Sequence, residues 1–184
     1  MARDLVHEAQ DGNGNAFGTL VACSIDRCYA VAYRILRDVE LAHDAVQGAL
    51  IDAWTDLPSL RDPKRFDAWL TRLVVNACYT EARRERRWEA KLRLVPPAGD
   101  VSPDMAISVA DRDELDRAFR RLPVEQRAVV VLHHYAGLSS AEVASTLHVP
   151  AGTVRSRLHL ATRQLRAAIE ADARPASTTE GRSA

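Results

Sequence analysis

Near the middle of the chain, the ten residues from Val95 to Asp104, V-P-P-A-G-D-V-S-P-D, hold three prolines and a glycine and offer little to bury. Proline removes a backbone donor and blocks helix continuation, so this stretch reads as a linker rather than a packed element. It divides a chain of 184 residues into two pieces, each long enough for a small domain. The expected boundaries are a first unit at 1–94, a linker at 95–110, a second unit at 111–171, and a small polar tail at 172–184 expected to be disordered.

On both sides of the linker the apolar residues recur at helical spacing, and no run alternates as a strand would. From Ala16 to Leu57 the pattern predicts two helices with a junction around Arg37 to Glu40. Pro58 to Arg65, P-S-L-R-D-P-K-R, then breaks the pattern and predicts a loop. The next helix carries Phe66, Trp69, Leu70, Leu73, Val74 and Ala77 at i, +3, +4, +7, +8 and +11, which is one buried face. Phe66 and Trp69 are read as core residues. On a neighbouring face Arg72, Asn76, Tyr79 and Arg83 lie at i, +4, +7 and +11 and continue toward Arg86 and Arg87. The second half predicts four short helices, near Arg112–Arg121, Glu125–Tyr135, Ala141–Leu147 and Gly152–Ala171, with a stop at Pro123 and a turn at Gly137. The fold class is therefore all-α: two small helical domains joined by a flexible linker.

Zero net charge conceals an alternation. Residues 1–60 carry 4 basic and 9 acidic side chains, 61–94 carry 10 and 5, 95–150 carry 5 and 8, and 151–184 carry 6 and 3. Local field rather than net charge attracts a polyanion, so the two basic segments are either phosphate-facing surfaces or solvated helix faces. For the first of them, pairing with Glu81, Glu85 and Glu89 along the helix is an equally good reading. The longest aliphatic run, Ala128 to Leu132, is too short to cross a bilayer, and M-A-R-D-L-V-H-E has acids where a secretion signal needs an apolar core. No membrane insertion is expected. Cys23, Cys28 and Cys78 are odd in number and form no C-x-x-C pair, which predicts buried thiols in a reducing cytoplasm.

The segment L-S-S-A-E-V-A-S-T-L-H-V-P-A-G-T-V-R-S-R-L-H-L-A reads as a short helix capped by Ser139 or Ser140, a tight turn and a longer helix: the spacing of a helix-turn-helix. On the last helix Val154, Leu158, Ala161, Leu165 and Ile169 form the inward stripe, while Arg155, His159, Thr162, Arg163 and Arg166 share another face. From Gly152 to Arg166 there are four arginines and no acid. Such a helix can enter a major groove, where guanidinium forks read guanine edges and phosphate contacts fix register.

An enzyme is poorly supported. There is no H-E-x-x-H and no G-x-x-x-x-G-K-[ST], and the G-N-G at Gly12 to Gly14 lacks a third glycine and a preceding strand. His133 and His134 are adjacent, so on a helix they point about 100° apart and do not readily share a metal. No catalytic residue, metal or cofactor is expected.

Taken in order, Y-A-V-A-Y-R-I-L-R-D, A-H-D-A-V-Q-G-A-L-I-D-A-W, F-D-A-W-L-T-R-L-V-V-N-A, L-P-V-E-Q-R-A-V-V-V-L, G-L-S-S-A-E-V-A and G-T-V-R-S-R-L-H resemble the successive motifs of extracytoplasmic-function sigma factors of bacterial RNA polymerase, over about residues 16 to 170. The resemblance implies a first domain that binds core polymerase through the clamp helices of its largest subunit and captures a minus-ten promoter base. The second domain would meet the flap of the second-largest subunit and read the minus-thirty-five element. Carried over by position, Asp44 and Gln47 are the polymerase contacts, with Trp54 expected in the core. Arg61, Lys64, Arg65, Arg72, Asn76 and Arg83 are the minus-ten contacts; Arg155, Ser156, Arg157, His159 and Arg163 are the minus-thirty-five contacts. Inhibition by an anti-sigma protein is implied as well. Departures fall at His43 and Gly48, where the family has acids, and at Leu160 and Thr162, where basic residues are common. The alternatives are an autonomous helix-turn-helix regulator, which would normally dimerise to read paired half-sites, and a sigma-like protein with altered polymerase binding.

Overall fold

A computed structural model of the chain describes residues 2–92 and 110–172, all of whose regular elements are helical. The expected linker at 95–110 and tail at 172–184 lie outside these residues, except for Ala110 and Asp172, which end helices.

The first unit is built from α1 (Ala2–Gln10), α2 (Gly14–Leu36), α3 (Val39–Asp56) and α4 (Phe66–Leu92). Its boundaries follow from local chemistry. Asn13 caps α2, its side-chain oxygen accepting from the N–H groups of Asn15 and Ala16. Arg37 closes α2 in the left-handed region (φ 59°), and Asp38 caps α3 by accepting from the Leu41 N–H at 2.8 Å. Two residues thus reverse the chain, at the junction that the periodicity placed there. In the loop after α3, Pro58 and Pro63 each open a short 3-10 turn, Leu57–Ser59 and Pro63–Arg65, at positions where a missing N–H costs nothing. The Gln10 amide of α1 pins this loop by donating to the carbonyls of Leu57 at 3.0 Å and Leu60 at 2.8 Å.

Helices α2, α3 and α4 pack around a shared core, with the closest association between α3 and α4. From α4 come Phe66, Trp69, Leu70, Val74, Val75 and Cys78; from α3 come Ala42, Ala45, Val46, Ala49 and Ala53. Alanine supplies four of the five buried α3 positions, so the two backbones can approach closely. Trp54, expected in the core, is instead 42% exposed and leans on Phe17 with ring centroids 5.1 Å apart. Cys28 and Cys78 are buried as expected; Cys23 is exposed on the outer face of α2, which corrects the reading of all three thiols as buried.

The second unit comprises α5 (Ala110–Arg121), α6 (Val124–Val130), α7 (Ser140–Leu147) and α8 (Ala151–Asp172). Helix α6 starts after Pro123 and passes into a π-helical turn, Val131–Tyr135; Gly137 then reverses the chain with φ 71°. On α8, Val154 and Ala161 are fully buried and Leu158 and Leu165 half-buried, whereas Ile169 leaves the inward stripe and is exposed. The two units touch. Val124, Ala128, Val129, Leu132, Val143 and Val154 belong to one continuous apolar cluster with the core of α2, α3 and α4.

Candidate nucleic-acid interface

Helix α7 begins with a complete capping box. The Ser139 hydroxyl accepts from the Glu142 N–H at 3.3 Å, and the Glu142 carboxylate accepts from the Ser139 N–H at 2.8 Å. These bonds favour the ionised acid and hold the Glu142 carboxyl below its ordinary range. His148, left-handed at φ 53°, ends α7, and Pro150 leads into α8 with its carbonyl accepting from Thr153 at 2.9 Å. The cap, tight turn and longer helix complete the helix-turn-helix.

On α8, Arg155, Ser156, His159 and Arg163 are exposed, and Leu160 and Thr162 share that solvent side. Ser156 donates back to the Thr153 carbonyl at 3.0 Å, which leaves its oxygen as an acceptor. Arg157 is the exception among the expected contacts. It is half-buried, and its charge opposes the effect of burial on the Tyr79 phenol of α4. Burial wins, and the Tyr79 hydroxyl is pushed up to about 12.

The minus-ten set divides. Arg61, Arg65 and Arg72 border a cavity of about 310 Å³ that is also lined by Asp62 and Trp69 and, from the second unit, by Ser145, Thr146 and His148. Arg65 Nη2 donates to Ser145 Oγ at 3.1 Å, and Arg72 Nη1 lies 2.9 Å from Nδ1 and 3.0 Å from Nε2 of His148, over the imidazole ring rather than on one of its nitrogens. Lys64 faces the other side of the loop, beside Arg3, Arg27 and Asp67. Asn76 and Arg83 are exposed further along α4, where Arg83 Nε donates to the Tyr79 carbonyl at 3.0 Å.

Asp44 and Gln47 are exposed on α3, as a contact surface requires. Ile51, 60% exposed, and Trp54 continue the same face at i+7 and i+10 from Asp44. Sequence reasoning missed these two apolar members. The signal was available: the alanines at 42, 45, 49 and 53 already supply a packing face, so the bulky residues between them must point elsewhere. His43 is exposed against the Tyr29 ring, and a side chain added at the half-buried Gly48 would meet nothing within 4 Å.

Among the described residues no group of three or more His, Cys, Asp or Glu is arranged to hold a metal, and no helix is long and apolar enough to cross a membrane. The arrangement can grip charged, extended partners through arginine forks and offer an apolar helix face.

Comparison with known proteins agrees with this geometry. Residues 20–88 match the family model of sigma-70 region 2, and residues 112–165 match that of sigma-70 region 4. The sigma factor SigM of Mycobacterium tuberculosis, of the extracytoplasmic-function (ECF) group, is 38% identical over 148 residues, spanning 79% of this chain and 73% of that one. SigW of Bacillus subtilis, of the same group, is 26% identical over 178 residues, spanning 90% and 95%. Among solved structures, CnrH in complex with the cytosolic domain of CnrY superposes with a TM-score of 0.66 at 28% identity, covering 93% of this chain and 98% of that one.

Proposed function

The chain belongs to the extracytoplasmic-function sigma factors of the sigma-70 family, and on that premise we propose which of its surfaces meets which partner. A sigma factor is a regulatory subunit that binds core RNA polymerase and recognises promoter DNA; the polymerase supplies the catalysis, and the work assigned here is cytoplasmic. Residues 1–94 form the unit that docks on polymerase and opens the minus-ten element, and residues 111–171 form the unit that reads the minus-thirty-five element.

The observation that carries the reading is the exposed face of α8, where Arg155, Ser156, His159 and Arg163 stand together behind a capped α7 and a tight turn. Arg155 and Arg163 pair with phosphates or guanine edges, and His159 and the Ser156 oxygen supply shorter contacts. On α3, Asp44 and Gln47 provide the polar part of a polymerase-binding surface and Ile51 and Trp54 its apolar part; the clamp helices of the largest subunit are the proposed partner. Region 4 adds the flap of the second-largest subunit.

Separating promoter strands costs about 1.4 kcal/mol per stacked step, and turning a base out of the stack costs a few kcal/mol more. Arg61, Arg65, Arg72 and the cavity they border offset that cost by holding the displaced strand through its phosphates and one extruded base. Asn76 and Arg83 extend the same track along α4, with Lys64 gripping from the far side of the loop. An anti-sigma protein covering the polymerase-binding face is the proposed inhibitor; the similar CnrH is found in complex with another protein, the cytosolic domain of CnrY.

Run-off transcription with bacterial core polymerase on genomic fragments, with and without this protein, tests the reading. New transcripts are expected, lost on Asp44→Arg through failed polymerase binding and on Arg155→Glu through failed promoter binding. Duplex DNA binding with neither transcripts nor core association would replace it with an autonomous regulator.

A further inference from the structure

Helix α1 lies ahead of residues 20–88, which match sigma-70 region 2, yet it packs against both turns of the loop between α3 and α4. Its hold on the first turn is specific. The half-buried Gln10 donates from its amide nitrogen to the Leu57 carbonyl at 3.0 Å and to the Leu60 carbonyl at 2.8 Å, across 47 and 50 residues of sequence. That nitrogen carries two hydrogens, one for each carbonyl.

Gln10 is itself held still. Val6 and Ala9 are buried, and the N–H groups of Asp11, Gly12 and Asn13 close the last turn of α1 on the carbonyls of His7, Ala9 and Glu8. Gly12 adopts φ 91°, a positive value that glycine accepts without strain.

On the loop side the grip falls on its two anchors: Leu57 is fully buried and Leu60 nearly so. The Leu60 N–H also donates to the Leu57 carbonyl at 3.0 Å, so Gln10 braces a closed turn. Asp62 closes the next turn, its side chain accepting from the Lys64 N–H at 3.0 Å and its carbonyl from the Arg65 N–H at 2.9 Å. Arg61 alone separates the two turns. The direction in which Arg61, Lys64 and Arg65 project is therefore set by where the first turn is held.

We propose that Gln10 is a positioning residue for minus-ten recognition: by bridging Leu57 and Leu60 it fixes the base-receiving loop before DNA arrives. The inference rests on the assignment of that loop to the displaced strand. A loop already ordered loses less conformational freedom on binding, and a pocket of fixed shape does not adapt to a wrong base.

Two substitutions separate the hydrogen bonds from the bulk of the side chain. Gln10→Met keeps the length and the helix propensity but has no donor; Gln10→Lys keeps the propensity and supplies a donor that can serve either carbonyl. Holoenzyme assembled with each chain transcribes a pool of run-off templates in which the minus-ten stretch of a responsive promoter is randomised, and the transcripts are counted by base at each position. Amide exchange of the free chain follows the loop directly.

The parent is expected to prefer one base at one position of that stretch. Gln10→Met should lose about tenfold of that preference, the equilibrium factor for the net contribution of one to two hydrogen bonds. Its amides at Leu60, Lys64 and Arg65 should exchange faster, and Gln10→Lys should recover most of both. A defect of the whole fold would lower all templates together and leave the base ratios as they are. Unchanged ratios in Gln10→Met, or equal losses from Gln10→Met and Gln10→Lys, overturn the inference. Arg65→Ala then locates the fault: a flattened preference there keeps the loop as the reader of DNA and removes only the role of Gln10, whereas an intact one removes the assignment of the loop. A parent with no preference at any single position overturns that assignment and the inference with it.

Discussion

Helices α2, α3 and α4 run 23, 18 and 27 residues, whereas α6 and α7 run 7 and 8. A helix shorter than about 12 to 15 residues is marginal in water by itself. The long helices of the first unit bury a continuous face against one another and need only ordinary caps. The short ones depend on Pro123, on the Ser139–Glu142 box and on surfaces that other helices provide, the core of the first unit among them. The long helices are thus held by area, and the short α6 and α7 by their ends and their neighbours.

Large-to-small substitutions test that contrast most severely. Leu70→Ala, in the seam of α3 and α4, is expected to cost about 2–5 kcal/mol in urea denaturation, and Leu132→Ala about the same. Amide exchange separates them: Leu70→Ala should deprotect α2, α3 and α4, while Leu132→Ala should deprotect α6 to α8 and leave α2, α3 and α4 protected. Equal deprotection of both units by Leu132→Ala would erase the distinction.

Smaller effects sharpen it. Ser139→Ala should cost about 1 kcal/mol, seen as a lower urea midpoint for α7 and α8. The carboxyl of Glu142 is held below its ordinary value, so its contribution is present above its unfolded pKa and fades as pH falls through the lowered native value. The difference between parent and Ser139→Ala should therefore narrow on acidification; a gap unchanged by acid would remove the box as its source. Gly48→Ala should raise stability by about 0.8–1 kcal/mol, since the position is helical and an added methyl meets no neighbour. A lower midpoint would mean that α3 tolerates glycine there for a packing reason.

Much of this architecture was legible in the residues. The α2–α3 junction, the loop at Pro58 and the stop at Pro123 are written in local chemistry that acts over one to four residues. The cap of α7 was legible only to within one residue, as Ser139 or Ser140; counting back three from Glu142 selects Ser139. Trp54 was misplaced because apolar character was taken for burial, although a neighbouring row of alanines already met the packing need. What could not be read was the meeting of Arg72 with His148, 76 residues apart in sequence. Periodicity assigns a side chain to a face of its own helix, and says nothing of which distant helix comes to lie there.

The alanine row of α3 also separates two kinds of inheritance. Its inner side keeps the helix against α4, while its outer side, with Asp44, Gln47, Ile51 and Trp54, takes no part in that seam. Substitutions at the exposed Asp44, Gln47 and Ile51 can therefore drift toward a new partner at less cost in folding than any change in the alanine row. Helix α4 has no such latitude: Leu70, Val74, Val75 and Cys78 are buried in the first unit while Arg72 meets His148 of the second, so changes along it are judged from two sides.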